Sequence, residues 1–106
     1  MTAENTFTDY KITAFSEIAE QVRNWRKAGR SLVFTNGCFD LLHAGHIRYL
    51  QTAAAFADIF ILGLNSDSSV RKLKGLRRPI MSQADRALLL SALAAIDCVV
   101  IFDEET

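Results

Sequence analysis

The sequence has 106 residues, which predicts a single domain, and it is half apolar and 23% charged, which excludes a disordered chain. Twelve basic and twelve acidic side chains cancel to a net charge of zero. This balance excludes a generally basic protein that coats nucleic acid and a polyacidic tail protein.

The first residues contain neither a basic n-region nor an apolar h-region, so we expect no signal peptide. The apolar runs are far shorter than the roughly 20 residues of a membrane helix, so we expect no membrane partner. Cys38 and Cys98 are 60 residues apart and show neither a disulfide framework nor a zinc spacing. They suit small buried side chains in a reducing compartment, and we expect a cytoplasmic protein.

Residues 1–12 are polar and lack a clear period, which predicts a flexible N-terminal arm ahead of a domain over 13–106. Apolar side chains then recur at helical spacing from Phe15 to Trp25, and Gly29 suits the end of this first helix. The run 32–35 predicts a buried strand, which Asn36 and Gly37 break.

The rest of the chain continues the alternation of helices and strands. The predicted elements are a helix over 44–56, a strand over 58–64, one or two helical turns over 68–73, a helix over 86–94 opened by a capping box at Ser82, and a strand over 98–102.

The order α-β-α-β-α-β with apolar strands predicts an α/β protein with a Rossmann-like three-layer α/β/α fold and a parallel sheet. Three strands make a small sheet, and no helix follows the last one. We therefore expect the fold to be incomplete at its C-terminus. The open edge after Phe102 and the apolar helix over 86–94 make a homodimer a reasonable expectation.

The segment after the first strand carries the richest chemistry. Open parallel sheets bind ligands at the carboxyl ends of their strands, and Gly37 allows a turn and the close approach of a ligand. His43 and His46 share one face of the first turn of a helix, where free amides attract anions, and Gly45 leaves that face open. Two imidazoles there can hold the oxygens of a transferring phosphoryl group. The alternatives are a chance pair of histidines, a metal site with Asp40, and Asp40 as a simple turn cap.

Residues 71–78 carry five positive charges and no acid. They suit a solvated loop or a polyphosphate-binding segment in which Arg77 and Arg78 each form two hydrogen bonds to a phosphate. The third alternative is a nucleic-acid binding patch, although the segment has no aromatic residues for base stacking. Arg86 lies in the first turn of a helix, where a positive charge is unfavourable because of the helix dipole. This position indicates a functional role for Arg86, and the alternative is a local ion pair with Asp85. Asn65 and Asp67 end the second strand and either bind substrate or form the turn.

Residues 35–48, TNGCFDLLHAGHIR, resemble the cytidylyltransferase-like nucleotidyltransferases marked by an HxGH motif. The resemblance extends to GLNSDSSV at 63–70, LKGLRRPI at 73–80 and the segment 85–106. Within this family these blocks are most similar to bacterial D-glycero-β-D-manno-heptose 1-phosphate adenylyltransferases. Members of that group continue with a further strand and an STT-type motif, so the chain matches the N-terminal two thirds of such a domain.

The resemblance implies an enzyme that transfers AMP from ATP to heptose 1-phosphate, releases pyrophosphate, and supplies ADP-heptose for lipopolysaccharide core synthesis. Mg²⁺ would accompany ATP, and no metal ion bound by the protein alone is implied. The alternatives are a cytidylyltransferase for a polyol or amino-alcohol phosphate, and a truncated, non-catalytic module for nucleotide binding or dimerisation.

Three groups of residues are implied by the motifs that match the family, together with the reasoning above. The catalytic group is His43, His46 and Lys74. The nucleotide-binding group is Thr35, Asn36, Gly37, Cys38, Phe39, Gly45, Lys72 and Arg86. The substrate-binding group is Asp40, Asn65, Asp67, Arg77 and Arg78.

Overall fold

A computed structural model of the chain describes residues 9–103, and it shows a four-stranded sheet with helices on both faces. The strands are β1 (Ile12–Thr13), β2 (Leu32–Gly37), β3 (Ile59–Asn65) and β4 (Cys98–Phe102). The helices are α1 (Ile18–Lys27), α2 (Ala44–Ala54), α3 (Asp67–Lys74) and α4 (Gln83–Ser91), and single 3₁₀ turns cover Asp9–Lys11 and Phe15–Glu17.

The described strands are all parallel and lie in the order β1-β4-β3-β2. Because parallel neighbours point the same way, the carboxyl ends of β2, β3 and β4 meet at one edge of the sheet. The prediction of a Rossmann-like α/β fold with a parallel sheet is confirmed, and the strand predicted over 98–102 is observed with the same bounds.

Apolar packing on the two faces of the sheet produces the three layers. On one face, Phe60, Leu62 and Leu64 of β3 pack with Leu50 of α2 and Leu90 of α4. On the other face, Ile18, Val22 and Trp25 of α1 pack over a smaller cluster that includes Ile61 and Cys98. Burial raises the pKa of the Cys98 thiol, which keeps this side chain protonated and apolar in character.

Residues 9–12, the described part of the segment predicted as a flexible arm, have regular secondary structure. Ile12 and Thr13 form the edge strand β1, in register with Val99 and Val100 of β4, and the Cys98 thiol donates to the Thr13 hydroxyl at 3.3 Å. A strand of two residues is too short to produce an alternating pattern, so periodicity could not find it. Residues 1–8 lie outside the described part of the chain.

Strand β2 is longer and less buried than the sequence predicts. It runs through Asn36 to Gly37, which pairs with Leu64, so these two residues end the strand rather than break it. The Phe34 side chain is 62% exposed, and β2 lies at the edge of the described sheet. Helix α4 starts at Gln83, earlier than predicted, and the Ser82 hydroxyl caps it by accepting the Asp85 N–H.

Candidate active site

A cavity of about 780 Å³ opens where β2 and β3 end, at the start of α2. It brings together most of the predicted site residues, namely Asn36, Gly37, Cys38, Phe39, Asp40, His43, His46, Asn65, Lys74 and Arg78. Its other lining residues are Leu41, Tyr49 and Leu73. The position agrees with the general rule that open parallel sheets bind ligands at the carboxyl ends of their strands.

His43 and His46 form the first turn of α2 and cap the helix with their own side chains. The Gly45 N–H donates to Nδ1 of His43 at 3.1 Å, and the His43 N–H donates to Nδ1 of His46 at 3.2 Å. An Nδ1 atom that accepts a hydrogen bond carries no proton, so each neutral ring carries its proton on Nε2. Because Nδ1 of each ring faces a backbone amide, Nε2 presents its N–H on the side away from the helix backbone. The centroids of the two rings lie 4.1 Å apart.

The state of charge of the pair follows from the same arrangement. Burial of the His46 ring and the charge of the neighbouring His43 lower the pKa of His46. A second proton on either ring would also displace a backbone amide from Nδ1. With each Nδ1 accepting a backbone amide, both rings offer an Nε2–H donor at a helix N-terminus, where backbone amides and the helix dipole favour anions.

Two glycines make this geometry possible because a side chain at either position would collide with an aromatic ring. A Cβ on Gly45 would lie 2.8 Å from Cε1 of His43, and a Cβ on Gly37 would lie 2.9 Å from Cε2 of Phe39. Gly37 is thus needed for the Phe39 ring rather than for a turn. Phe39 itself has a φ of +48°, a left-handed conformation that is uncommon for a bulky residue.

Asp40 lines the cavity, but its carboxylate oxygens already accept hydrogen bonds from the protein. Its carboxylate accepts the N–H groups of Ile80 and Met81 at 2.9 Å and a guanidinium N–H of Arg78 at 3.1 Å. Partial burial raises the pKa of Asp40, but the hydrogen bonds from these donors lower it by more than burial raises it. The pKa of Asp40 is therefore below its ordinary value. Asp40 therefore fastens the segment after α3 to the loop after β2, which holds Arg78 beside Lys74 at the cavity.

Arg86 was predicted to bind nucleotide, and the structure places its side chain outside the lining of the cavity. Its side chain is completely buried beneath the cavity and pairs with the Asp67 carboxylate at 2.7 Å. Asp67 accepts a hydrogen bond from Arg86 and does not line the cavity. Asn65 is 1% exposed and forms part of the cavity floor.

The remaining predicted residues lie near the cavity without lining it. The Thr35 hydroxyl is hydrogen-bonded to the Tyr49 hydroxyl, and Gly45 acts through the His43 ring. Lys72 and Arg77 are exposed on α3 and the following loop. Tyr49, which the sequence reasoning missed, could have been found because it lies one helical turn after His46 on the same helix.

Among the described residues, no group of three or more His, Cys, Asp or Glu side chains is arranged to hold a metal ion. The carboxylate that does line the cavity, that of Asp40, is occupied by three N–H donors. No helix within the described range is long and apolar enough to span a bilayer.

Comparison with known proteins places this cavity in a family. Residues 34–106 match the sequence model of the cytidylyltransferase-like family. The chain is 60% identical over 96 residues to the bifunctional protein HldE of Wolinella succinogenes and 54% identical over 99 residues to that of Geotalea uraniireducens. These alignments cover 91% and 93% of this chain, which spans about 20% of the length of either relative.

A solved structure has the same fold. The crystal structure of the lipopolysaccharide core biosynthesis protein from Thermoplasma volcanium superposes with a TM-score of 0.65 at 32% sequence identity, over 70% of this chain and 59% of that one. The family match covers the cavity from β2 onward, including both histidines and the basic segment. The chain therefore belongs to the cytidylyltransferase-like family and contains a domain of the nucleotidyltransferase type.

Proposed function

We propose that this domain transfers AMP from ATP to a sugar phosphate, heptose 1-phosphate, and releases pyrophosphate. The product would be ADP-heptose, a precursor for the lipopolysaccharide core. The observation that carries the proposal is the pair of neutral Nε2–H donors at the start of α2, fixed by backbone amides on Nδ1. The sequence likeness to HldE proteins and to a lipopolysaccharide core biosynthesis protein supports the choice of substrate.

The reaction needs positioned donors for phosphate oxygens more than it needs a general base. An oxygen of the sugar phosphate forms a bond to the α-phosphorus of ATP, while the bond from that phosphorus to the bridging oxygen breaks and pyrophosphate leaves with the electron pair. Negative charge grows on the phosphoryl oxygens and on the leaving group. His43 and His46 would donate to these oxygens, and the Lys74 ammonium would neutralise the polyphosphate.

Arg78 contributes a second cation at the cavity, although it shares its charge with Asp40. Mg²⁺ would enter bound to the phosphates of ATP as part of the substrate, since the described cavity residues offer it no free carboxylate. In this arrangement the protein supplies positioning and fixed hydrogen-bond donors, which are the two contributions that phosphoryl transfer requires.

The test is an assay of pyrophosphate release by the chain with heptose 1-phosphate and either ATP or CTP. We expect turnover with ATP, a loss of about 100-fold or more in His46→Ala, and partial retention in His46→Gln, whose amide N–H replaces Nε2–H. Turnover of His46→Ala within threefold of the wild type would contradict the mechanism. A preference for CTP with a polyol or amino-alcohol phosphate would assign the domain to a cytidylyltransferase instead.

A further inference from the structure

The side chain of Arg86 forms four hydrogen bonds near the cavity but does not line it. The guanidinium of Arg86 donates to the carbonyl oxygens of Cys38 at 2.7 Å, Asn65 at 2.8 Å and Met81 at 3.0 Å, and to the Asp67 carboxylate at 2.7 Å. These acceptors belong to the loop after β2, the end of β3, the segment before α4 and the start of α3. One buried cation thus joins the four segments that frame the cavity.

We infer that Arg86 is a positioning residue, which orients the Cys38–Phe39 peptide so that its N–H serves as a donor to the bound polyphosphate. The peptide is trans and planar, so its carbonyl and N–H groups point in opposite directions. The carbonyl is bonded to Arg86 below the cavity floor. The Phe39 N–H consequently points away from the buried guanidinium, and both Cys38 and Phe39 line the cavity.

The backbone at this point needs such an anchor. Phe39 has a φ of +48°, and a bulky residue stays in this left-handed region only where its surroundings impose it. The Phe39 ring is packed against Gly37 and lies edge-on to His46, with the ring centroids 5.8 Å apart. The Arg86 bond to the Cys38 carbonyl therefore fixes the orientation of the Phe39 amide and also supports the ring beside the second histidine.

The fork of donors explains why an arginine occupies this position. A guanidinium presents several N–H groups in fixed directions and can bond four acceptors at once, whereas a lysine ammonium is a single charged point with three donors. Arg86→Lys would preserve the buried charge and its pairing with Asp67 but could not keep all the carbonyl bonds. This variant separates the orientation of the peptide from the mere presence of a cation.

The inference rests on the proposed function, so the test compares the wild type with variants in nucleotide binding. The ¹⁵N-labelled chain is titrated with ATP and Mg²⁺, and the Phe39 amide signal and the dissociation constant are followed together. We expect a downfield shift of the Phe39 amide proton in the wild type, and in Arg86→Lys a much smaller shift with affinity about tenfold weaker or more. Arg23→Lys, an exposed arginine on α1, serves as the matched control and should behave as the wild type.

A folded Arg86→Lys chain that binds ATP with unchanged affinity and an unchanged Phe39 shift would overturn the inference alone. A wild-type chain that shows no response to ATP would overturn the proposed function and the inference with it. If Arg86→Lys does not fold, the wild type still decides through the Nε–H signal of Arg86. Positioning predicts that ATP shifts the Phe39 amide more than this Nε–H, whereas a larger shift at Arg86 would show direct contact and contradict the inference.

Discussion

Replacing Gly45 with alanine should weaken nucleotide binding while leaving the fold nearly as stable as before. The added Cβ would lie 2.8 Å from Cε1 and 3.0 Å from Nδ1 of His43, closer than such contacts can be tolerated, so the imidazole must rotate away. That movement breaks the bond from the Gly45 N–H to Nδ1. His43 then loses both its fixed tautomer and the direction of its Nε2–H group.

The two effects of this substitution on stability oppose each other. Alanine is favoured over glycine in a helix by up to about 1 kcal/mol. Loss of the cap formed by His43 costs about 1 kcal/mol, so the free energy of unfolding should change by less than about 1 kcal/mol. The effect on binding has no such compensation. Loss of a hydrogen bond to a charged phosphate costs about 1.5–3 kcal/mol, which is roughly a 10- to 150-fold loss of affinity.

Urea unfolding and calorimetric titration with ATP and Mg²⁺ measure the two quantities separately. Ala44→Gly is the matched control on the same helical turn, since Ala44 is exposed and its N–H is not the donor of either bond to an imidazole Nδ1. It should lower stability by up to about 1 kcal/mol and leave affinity unchanged. Affinity of Gly45→Ala within threefold of the wild type would refute the reasoning that the His43 ring needs this glycine.

Three further predictions concern pH and stability. Because the pKa of His46 is lower in the folded chain than its ordinary value near 6.5, the folded state binds fewer protons, so its contribution to stability is complete above about pH 6.5 and declines as the pH falls below it. Urea midpoints between pH 8 and pH 5 should show this decline and should show less of it in His46→Gln; equal declines would contradict it. Asp40→Asn should lower the free energy of unfolding by about 1–3 kcal/mol at pH 7, because it weakens bonds to two backbone amides and removes the pairing with a guanidinium. The difference between Asp40→Asn and the wild type should shrink as acid protonates Asp40, and a difference that persists unchanged in acid would contradict the assignment. Leu64→Ala removes a completely buried side chain and should cost about 2–5 kcal/mol, whereas Leu76→Ala, at a position 90% exposed, should change stability by less than about 0.5 kcal/mol; similar urea midpoints for the two would contradict the burial pattern.

The fold was largely predictable because its signals are local. The apolar runs that became β3 and β4 and the helical spacing that became α1 each lie within a dozen residues, and a parallel sheet follows from their alternation. His43 and His46 were predicted to share a face for the same reason, since they are three positions apart in the sequence.

The roles of Asp40 and Arg86 could not be predicted in this way. Arg78 lies 38 residues from Asp40, and Cys38 lies 48 residues from Arg86, so these bonds depend on how the finished fold brings distant segments together. The sequence shows only that Asp40 and Arg86 are charged and are expected near the nucleotide site. Burial in the folded chain decides whether each of these two side chains faces a ligand or forms hydrogen bonds to the backbone. Local sequence patterns do not show this burial.

The proposed function depends on two neutral histidines that donate Nε2–H groups to nucleotide phosphates in this cavity. The most direct measurement is a ¹⁵N spectrum of both imidazoles in the wild-type chain near pH 7.5, recorded with and without ATP and Mg²⁺. We expect unprotonated Nδ1 and protonated Nε2 on both rings, and a shift of both Nε2–H signals when ATP binds. Protonated Nδ1 atoms, or Nε2–H signals that ATP leaves unmoved, would contradict it.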